Sequence, residues 1–188
     1  MSYEHVMIDL ETLGTRPGSV ILSIGAVAFD EGQPESTWSK FDSGPISVAG
    51  SRAAGLTIDE STLAWWLRQD DEPRKLLLAA LDDAAQAPIV ALNNFVGWSP
   101  YPAEFTLWSN GANFDGVLLR AAWEKVCPQY VPICKYYQEC CYRTMKRRYA
   151  RVSAPMRQGV HHNALNDALH QTRHLQSIFA VEREARKS

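Results

Sequence analysis

Two acidic residues one position apart lie near the start of the chain, within an otherwise apolar segment that is typical of a strand. Side chains alternate along a strand, so Asp9 and Glu11 face the same side, and Val6, Ile8 and Leu10 are predicted to form the buried face. Two carboxylates held this close repel each other unless a cation lies between them, and a hard divalent metal is the usual cation. This pair therefore predicts a metal site built on a strand.

The overall composition indicates one globular domain over residues 1–188. The chain has 188 residues, of which 46% are hydrophobic and 21% charged, enough for one core and too few for two. No apolar run reaches the roughly 18 residues of a membrane span, and the N-terminus lacks the regions of a signal peptide. Four cysteines without C-x-x-C spacing suit reduced thiols. We therefore expect a cytoplasmic protein with no membrane partner.

Positive charge is concentrated in the C-terminal part of the chain. Residues 1–115 include 16 acidic and 6 basic residues, whereas residues 116–188 include 5 acidic and 13 basic residues. Between residues 135 and 160 a single acid, Glu139, opposes a run of seven bases: Lys135, Arg143, Lys146, Arg147, Arg148, Arg151 and Arg157. Such a stretch could follow a phosphate backbone or could form a solvated helix face, and the sequence leaves both open.

Hydrophobic periodicity and turn residues predict a mixed α/β domain. Strands are predicted over 4–11, 20–29, 36–41 and 105–109, with the first three as an antiparallel meander. Helices are predicted over 59–69, 72–86, 113–126 and 138–149, and from 163 to about 184. Three prolines, two asparagines and a glycine predict a loop over 87–104, with at most a short ordered piece at 89–92.

Further carboxylates lie at the starts of two predicted helices. Asn113 is a good N-cap, so Asp115 falls in the first helical turn, where it either joins a site or complements the helix dipole. If Asn163 caps the last helix, His162 lies just before it and Asp167 lies inside its first turns, so both can face one cleft. Taken singly, each of these residues also has an ordinary structural explanation.

Together these segments resemble the DEDDh class of DnaQ-like 3′-5′ exonucleases, which is named for four acids and a histidine in three motifs. Asp9 and Glu11 match the first motif, Asp115 the second, and His162 and Asp167 the third. The resemblance covers about residues 4–178 and is nearest to phage-type and exodeoxyribonuclease VIII-like members. It implies an RNase H-like fold with a five-stranded mixed sheet flanked by helices, in the cytosol of a bacterium or a phage-infected host.

The resemblance also implies a two-metal hydrolysis of phosphodiester bonds by Mg²⁺, for which Mn²⁺ can substitute. Asp9, Glu11 and Asp167 would hold the ion that binds the attacking water, and Asp9 would bridge to a second ion that Asp115 reaches partly through water. His162 would be the general base, because an imidazole with a pKa near ~6.5 accepts a proton at neutral pH. The neighbouring His161 is expected at the surface or beside a phosphate.

The implied partner is nucleic acid with a free 3′ end, expected to be single-stranded DNA that is released as nucleoside 5′-monophosphates. Backbone groups of Thr12, Leu13 and Gly14 would contact the terminal nucleotide, with Leu13 wedged against the last bases. Asn110 could orient that nucleotide. Phe114 could stack on a base or pack in the core.

Three alternatives remain for the function. The first is a 3′-5′ exoribonuclease of the same fold, and the second is a nuclease-like binding subunit that acts through a partner. The third is an endonuclease, although endonucleases of this fold lack a third motif of the His162 type. The oligomeric state is open, and a homo-oligomer is compatible with the sequence.

Several aromatic and histidine residues have two interpretations. Trp65, Trp66 and Trp108 either stack on bases or pack in the core, and we expect at least one of them in the core. His170 and His174 have metal-binding spacing on a helix, but without the further ligands of a zinc motif a solvated helix face is favoured.

Overall fold

The computed structural model describes residues 3–127, 129 and 132–187, so the predicted domain ends at residues 1 and 188 lie outside the described residues. Within that part, five strands form one sheet in the order β3-β2-β1-β4-β5. The strands are β1 (His5–Thr12), β2 (Ile21–Phe29), β3 (Ser39–Asp42), β4 (Thr106–Ser109) and β5 (Glu139–Cys141).

The sheet is mixed, as the sequence predicts. β1 and β2 pair antiparallel, as do β2 and β3, which confirms the predicted meander. β4 pairs parallel with β1, and β5 pairs parallel with β4. This arrangement places β1 in the centre of the sheet, between β2 and β4.

Helices flank the sheet. They are α1 (Val48–Ala53), α2 (Glu60–Leu67), α3 (Asp71–Leu81), α4 (Pro88–Trp98), α5 (Asp115–Val126), α6 (Tyr142–Arg148) and α7 (Ala164–Ala185). In the described ranges, no helix has both the length and the apolar composition needed to cross a membrane.

Both faces of β1 are buried, whereas the sequence predicted burial of one face only. Val6, Ile8 and Leu10 lie in a large core cluster on one side, as predicted. Met7 is 0% exposed and belongs to a second cluster that includes Leu175 of α7. Each fully buried side chain of this kind stabilises the fold by about 1.5–3 kcal/mol. The long helix α7 is therefore fixed directly over the central strands.

The predicted loop over 87–104 is wrong, because α4 occupies Pro88–Trp98. Pro88 is at the start of this helix, where its missing N–H costs no hydrogen bond. Ala91, Leu92 and Phe95 are buried on one face of it. Burial of that face outweighs the weak helix preference of the asparagines and Gly97.

The predicted helix over 138–149 is also wrong in its first part. Glu139–Cys141 form β5, and the helix begins at Tyr142. A strand of three residues is too short to show a period of two in the sequence. Two smaller differences are that α3 ends at Leu81 rather than 86, and that Glu35–Thr37 form a 3₁₀ turn before β3.

Candidate active site

Four carboxylates from three elements converge on the central strand. Asp9 and Glu11 come from β1, Asp115 from the first turn of α5, and Asp167 from the first turn of α7. Ligand oxygens of Asp9, Glu11 and Asp167 all lie within 4.8 Å of one another. Oδ1 of Asp115 accepts the backbone N–H of Leu10, between the two β1 carboxylates, at 3.1 Å. We call these four residues the carboxylate cluster.

Burial and mutual repulsion make the ionised cluster costly. Burial, followed by the charges of Asp115, Glu11 and Asp167, raises the pKa of Asp9 well above its usual value. Burial also raises the pKa of Glu11 to about 8, with smaller contributions from Asp167 and Asp115. Burial raises the pKa of Asp115 to about 6, although the hydrogen bond from the Leu10 N–H lowers this pKa. A divalent cation would relieve these costs, and an all-oxygen ligand set suits Mg²⁺ or Mn²⁺.

Three polar contacts orient the carboxylates. Gln171 Nε2 donates to Asp9 Oδ1 at 2.7 Å, and the Arg157 guanidinium donates to Asp167 Oδ1. The backbone N–H of His162 donates to Asp167 Oδ2 at 3.1 Å. Sequence reasoning missed Gln171, although its position four residues after Asp167 on a helix places it on the same face. Arg157 was predicted only as part of the basic run.

Gly25 of β2 allows α7 to reach the cluster, and it too was missed. It lies directly opposite Asp9 in the β1–β2 register. A Cβ at this position would lie 2.1 Å from the backbone carbon of Ala164, so any side chain would push the start of α7 away. A glycine inside a strand often marks such a close backbone approach, which is the signal that could have found it.

The start of α7 is fixed by a predicted cap. Asn163 Oδ1 accepts the backbone N–H of Asn166 at 3.0 Å, which confirms Asn163 as the N-cap. The cap defines the first turn of the helix, from which Asp167 points to the cluster.

The predicted cap of α5 is wrong. The N-cap residue is Phe114 and not Asn113, and its side chain makes no capping hydrogen bond. The reason is a turn in which the Phe114 N–H donates a hydrogen bond to the Gly111 carbonyl at 3.2 Å. Because of this turn, the helix begins one residue later than predicted. Asp115 is nevertheless in the first helical turn, as predicted.

His162 lies beside the cluster in an unusual backbone conformation. Its φ is 60°, in the left-handed region that few non-glycine residues adopt. Its ring packs edge-on against Trp65, with centroids 4.9 Å apart. A ring nitrogen lies within 4.8 Å of an Asp167 oxygen, as does one of His161. Burial and the neighbouring His161 lower the pKa of His162 below its usual value, which favours the neutral imidazole.

An apolar cavity of about 410 Å³ adjoins the cluster, and we call it the aromatic cavity. Its lining includes Glu11, Thr12, Trp65, Trp66 and Phe114. Trp66 is a core residue whose Nε1 donates to the Thr12 carbonyl at 2.8 Å. Trp65 is 41% exposed and presents an aromatic surface.

Trp108 and Phe114 lie in different surroundings. Trp108 is buried beside α7 in the second core cluster. The prediction that at least one of the three tryptophans is a core residue is therefore confirmed. Phe114 has both predicted features, because it packs against the core and also lines the aromatic cavity.

The other predicted substrate residues have distinct surroundings. Thr12 Oγ1 donates to the Gly14 carbonyl at 2.8 Å, which closes the turn after β1. Leu13 is fully buried in the core, so the predicted wedge would require this side chain to leave the core. A Cβ on Gly14 would lie 2.4 Å from Ser19 Oγ. Asn110 lines the cavity that also includes Asp9, Glu11 and Asp167.

That cavity, which we call the acidic cavity, has a volume of about 290 Å³. Its lining includes Asp9, Glu11, Asp167, His162 and Lys146. It shares Glu11 with the aromatic cavity, so the two form neighbouring compartments.

The predicted solvated face at His170 and His174 is wrong for His174, which is 2% exposed. Its Nδ1 is 2.7 Å from the Tyr142 hydroxyl, and its Nε2 is 2.8 Å from the Val152 carbonyl. Both ring nitrogens are therefore engaged, which also argues against a zinc site. The burial arises because α6 packs against α7.

The mixed five-stranded sheet with its flanking helices defines an RNase H-like fold, as predicted. A family model described as the 3′-5′ exoribonuclease Rv2179c-like domain matches residues 4–179, and the chain belongs to this family. Comparison with curated proteins finds no match. The prediction of a 3′-5′ exonuclease family is thereby confirmed, whereas the closer resemblance to DnaQ-like and exodeoxyribonuclease VIII-like enzymes stays a prediction.

Proposed function

We propose that the protein is a metal-dependent exonuclease that removes nucleoside 5′-monophosphates one by one from the 3′ end of single-stranded RNA. The observation that carries the proposal is the carboxylate cluster, in which ligand oxygens of Asp9, Glu11 and Asp167 lie within 4.8 Å of one another. Its setting on the central strand of a 3′-5′ exoribonuclease family member supports the same activity.

The cluster is proposed to hold two divalent ions. Asp9, Glu11 and Asp167 would hold one ion, and Asp9 would share the second with Asp115, partly through water. Bound ions of this kind lower the pKa of the attacking water and neutralise charge on the phosphate and the leaving alkoxide. The raised pKa values of Asp9 and Glu11 support a cation site, because ionising this cluster without a cation is unfavourable.

His162 is proposed as the general base. In its neutral form one ring nitrogen accepts a proton from the attacking water, and the resulting oxygen nucleophile attacks phosphorus. The bond from phosphorus to the 3′ oxygen of the preceding nucleotide breaks, and the alkoxide takes a proton from solvent. Asp167 lies close enough to stabilise the imidazolium that forms. The packing of His162 against Trp65 supports this role by limiting where the ring can lie.

The aromatic cavity is proposed to hold the 3′-terminal nucleotide. Trp65 and Phe114 offer stacking surfaces for a base, and Thr12, Ser61 and Thr62 place hydroxyl groups where a ribose could be bound. The family description favours RNA. Single-stranded DNA, which the resemblance to phage-type members favours, is the second candidate substrate.

Digestion of matched oligonucleotides tests the proposal. With Mg²⁺, a 5′-labelled single strand of RNA should give a ladder of shortened labelled products, and DNA of the same sequence should be degraded more slowly. Asp9→Asn should reduce cleavage to background, because it removes a shared metal ligand. Asp83→Asn, which changes an exposed carboxylate outside the cluster, is the matched control.

Two results would contradict the proposal. An intact strand in both Mg²⁺ and Mn²⁺ would favour a binding subunit over an enzyme. Equal cleavage of circular and linear strands would indicate an endonuclease.

A further inference from the structure

A basic groove of about 530 Å³ adjoins the acidic cavity. Arg143, Lys146 and Arg147 of α6 line it, together with Ser153 and Ala154 of the following segment. The groove shares Asn110 and Lys146 with the acidic cavity. The aromatic cavity shares Glu11 with the acidic cavity. The acidic cavity therefore connects to the aromatic cavity through one set of residues and to the basic groove through another.

The walls of this groove are held in place by hydrogen bonds. Arg143 Nη2 donates to the Asn110 carbonyl at 2.6 Å, which ties α6 to the segment after β4. The buried His174 is bonded to the Val152 carbonyl at 2.8 Å, which ties the segment after α6 to α7. The groove is thus formed by anchored elements rather than by a free loop.

The three cations of the groove lack salt bridges in the described part of the chain, although the charge of Arg143 reaches Asp115 and partly offsets the rise in the pKa of Asp115. Among the residues that the structure describes, no carboxylate lies within 4.0 Å of a side-chain nitrogen of Arg143, Lys146 or Arg147. Some other exposed cations are paired, as in the 2.8 Å bridge between Lys135 and Glu104. Like charges at helical spacing destabilise a helix. An anion in the groove would relieve this repulsion.

We propose that the basic groove binds backbone phosphates of the strand on the 5′ side of the bond that is cleaved. This inference rests on the proposed function. A scissile phosphate has the terminal nucleoside on one side and the rest of the strand on the other. If the terminal nucleotide occupies the aromatic cavity and the phosphate lies over the carboxylate cluster, the rest of the strand leaves through the basic groove. The chemistry required there is electrostatic attraction to phosphates without recognition of bases.

Charge reversal at Arg147 tests the path of the strand. The readout is the ratio of kcat/KM for a long single-stranded RNA to that for a dinucleotide, because only the long strand reaches the groove. Arg147→Glu should lower this ratio by about tenfold, and its binding should depend less on salt, with a slope smaller by about 0.7 for each lost phosphate contact. Arg147→Lys should retain the ratio, because a point charge suffices for a phosphate.

The matched control is Arg148→Glu, which changes the next residue of α6. The Arg148 guanidinium lies 5.7 Å from the ring centre of Tyr149, outside the groove. This variant should keep the ratio within about twofold of the starting chain. Equal ratios and equal salt slopes for Arg147→Glu and Arg148→Glu would overturn the proposed path.

Binding separates failure of this inference from failure of the proposed function. Fluorescence anisotropy of a labelled RNA strand, measured without divalent metal, requires no cleavage. Weaker binding by Arg147→Glu than by Arg148→Glu would support the groove as a single-strand site even if the chain cleaved nothing. Equal binding by the two variants would overturn the proposal that the groove binds the strand, whether or not the chain cleaves RNA.

Discussion

At the scale of single residues, Gly25 of β2 sets how close α7 can come to the sheet. In Gly25→Ala the new Cβ would lie 2.1 Å from the backbone of Ala164 and Leu165, so the helix start must move. We expect a loss of about 1–3 kcal/mol in the free energy of unfolding, and weaker Mn²⁺ binding because Asp167 moves with the helix. Urea unfolding and calorimetric titration would measure these two effects.

Gly97→Ala is the matched control for that substitution. A Cβ at Gly97, inside α4, meets nothing within 4 Å. This variant should gain about 0.5–1 kcal/mol, since alanine is the better helix former. Unchanged metal binding in Gly25→Ala would contradict the role assigned to the close approach.

His162 and His161 offer a second residue-scale comparison. His162→Ala should lower kcat by about 10²–10⁴, the usual contribution of a general base. The hydrogen bond from the backbone N–H of residue 162 to Asp167 is retained in the variant, so Mn²⁺ binding should change little. His161→Ala changes an exposed neighbour and should keep most of the activity. Single-turnover rates of both variants provide the measurement, and a larger loss for His161→Ala would reverse the assignment.

Arg157 forms an ion pair with Asp167. A metal ion must compete with this guanidinium for the same carboxylate, so Arg157→Ala should bind Mn²⁺ more tightly. Calorimetric titration would compare it with Arg173→Ala, which removes a distant pair with Glu35. Equal Mn²⁺ affinity in the two variants would show that the Arg157 contact does not compete with the metal.

At the scale of elements, the N-cap of α7 connects helix stability to the site. Asn163→Ala should cost about 1 kcal/mol of unfolding free energy, because the Asn166 N–H loses its acceptor. Asn163→Asp keeps an acceptor and should restore most of this loss. Urea unfolding of the three chains measures the difference, and equal stability of all three would contradict the capping role.

The elements that could be predicted from sequence are those with a strong local pattern. β1, β2 and α7 have long apolar periodicity or clear caps, and the structure places them close to the predicted bounds. β5 has only three residues, and α4 contains helix-weakening residues whose burial is decided by contacts elsewhere in the chain. Local pattern carries no information about such long-range packing.

The same distinction applies to the site. The proximity of Asp9, Glu11, Asp115, His162 and Asp167 could be predicted because each lies in a motif with a fixed local form. Gly25, Gln171 and Arg157 act on those residues across the fold, through contacts that no spacing in the sequence specifies. The location of the basic groove beside the cluster could likewise be seen only in three dimensions.

At the scale of the whole molecule, the cluster makes stability depend on pH. Unfolded carboxyl groups lose their protons near pH ~4, whereas in the folded chain the pKa of Asp115 is about 6 and that of Glu11 about 8. Between pH ~4 and pH ~8 these two carboxyl groups therefore hold more protons in the folded state than in the unfolded state. The free energy of unfolding of the metal-free protein should therefore fall as pH rises from about 4 to about 8.

Thermal unfolding in a chelator at several pH values would measure this trend. Mn²⁺ should raise Tm most at the high end of the range, because it binds the deprotonated carboxylates. Glu11→Gln removes one of the titrating groups and should flatten the dependence. A Tm that rises over this range without metal would contradict the raised pKa values.

The hydrogen bond between Gln171 and Asp9 joins residues 162 positions apart in the chain. During synthesis, Asp9 and Glu11 of β1 therefore lack Asp167 and Gln171 of α7 until nearly all of the described chain has been translated. A ribosome-bound chain has an incomplete centre for most of its synthesis. If the carboxylate cluster is the catalytic centre proposed above, a nascent chain gains RNA-cleaving activity only after α7 has been made and has folded onto the sheet.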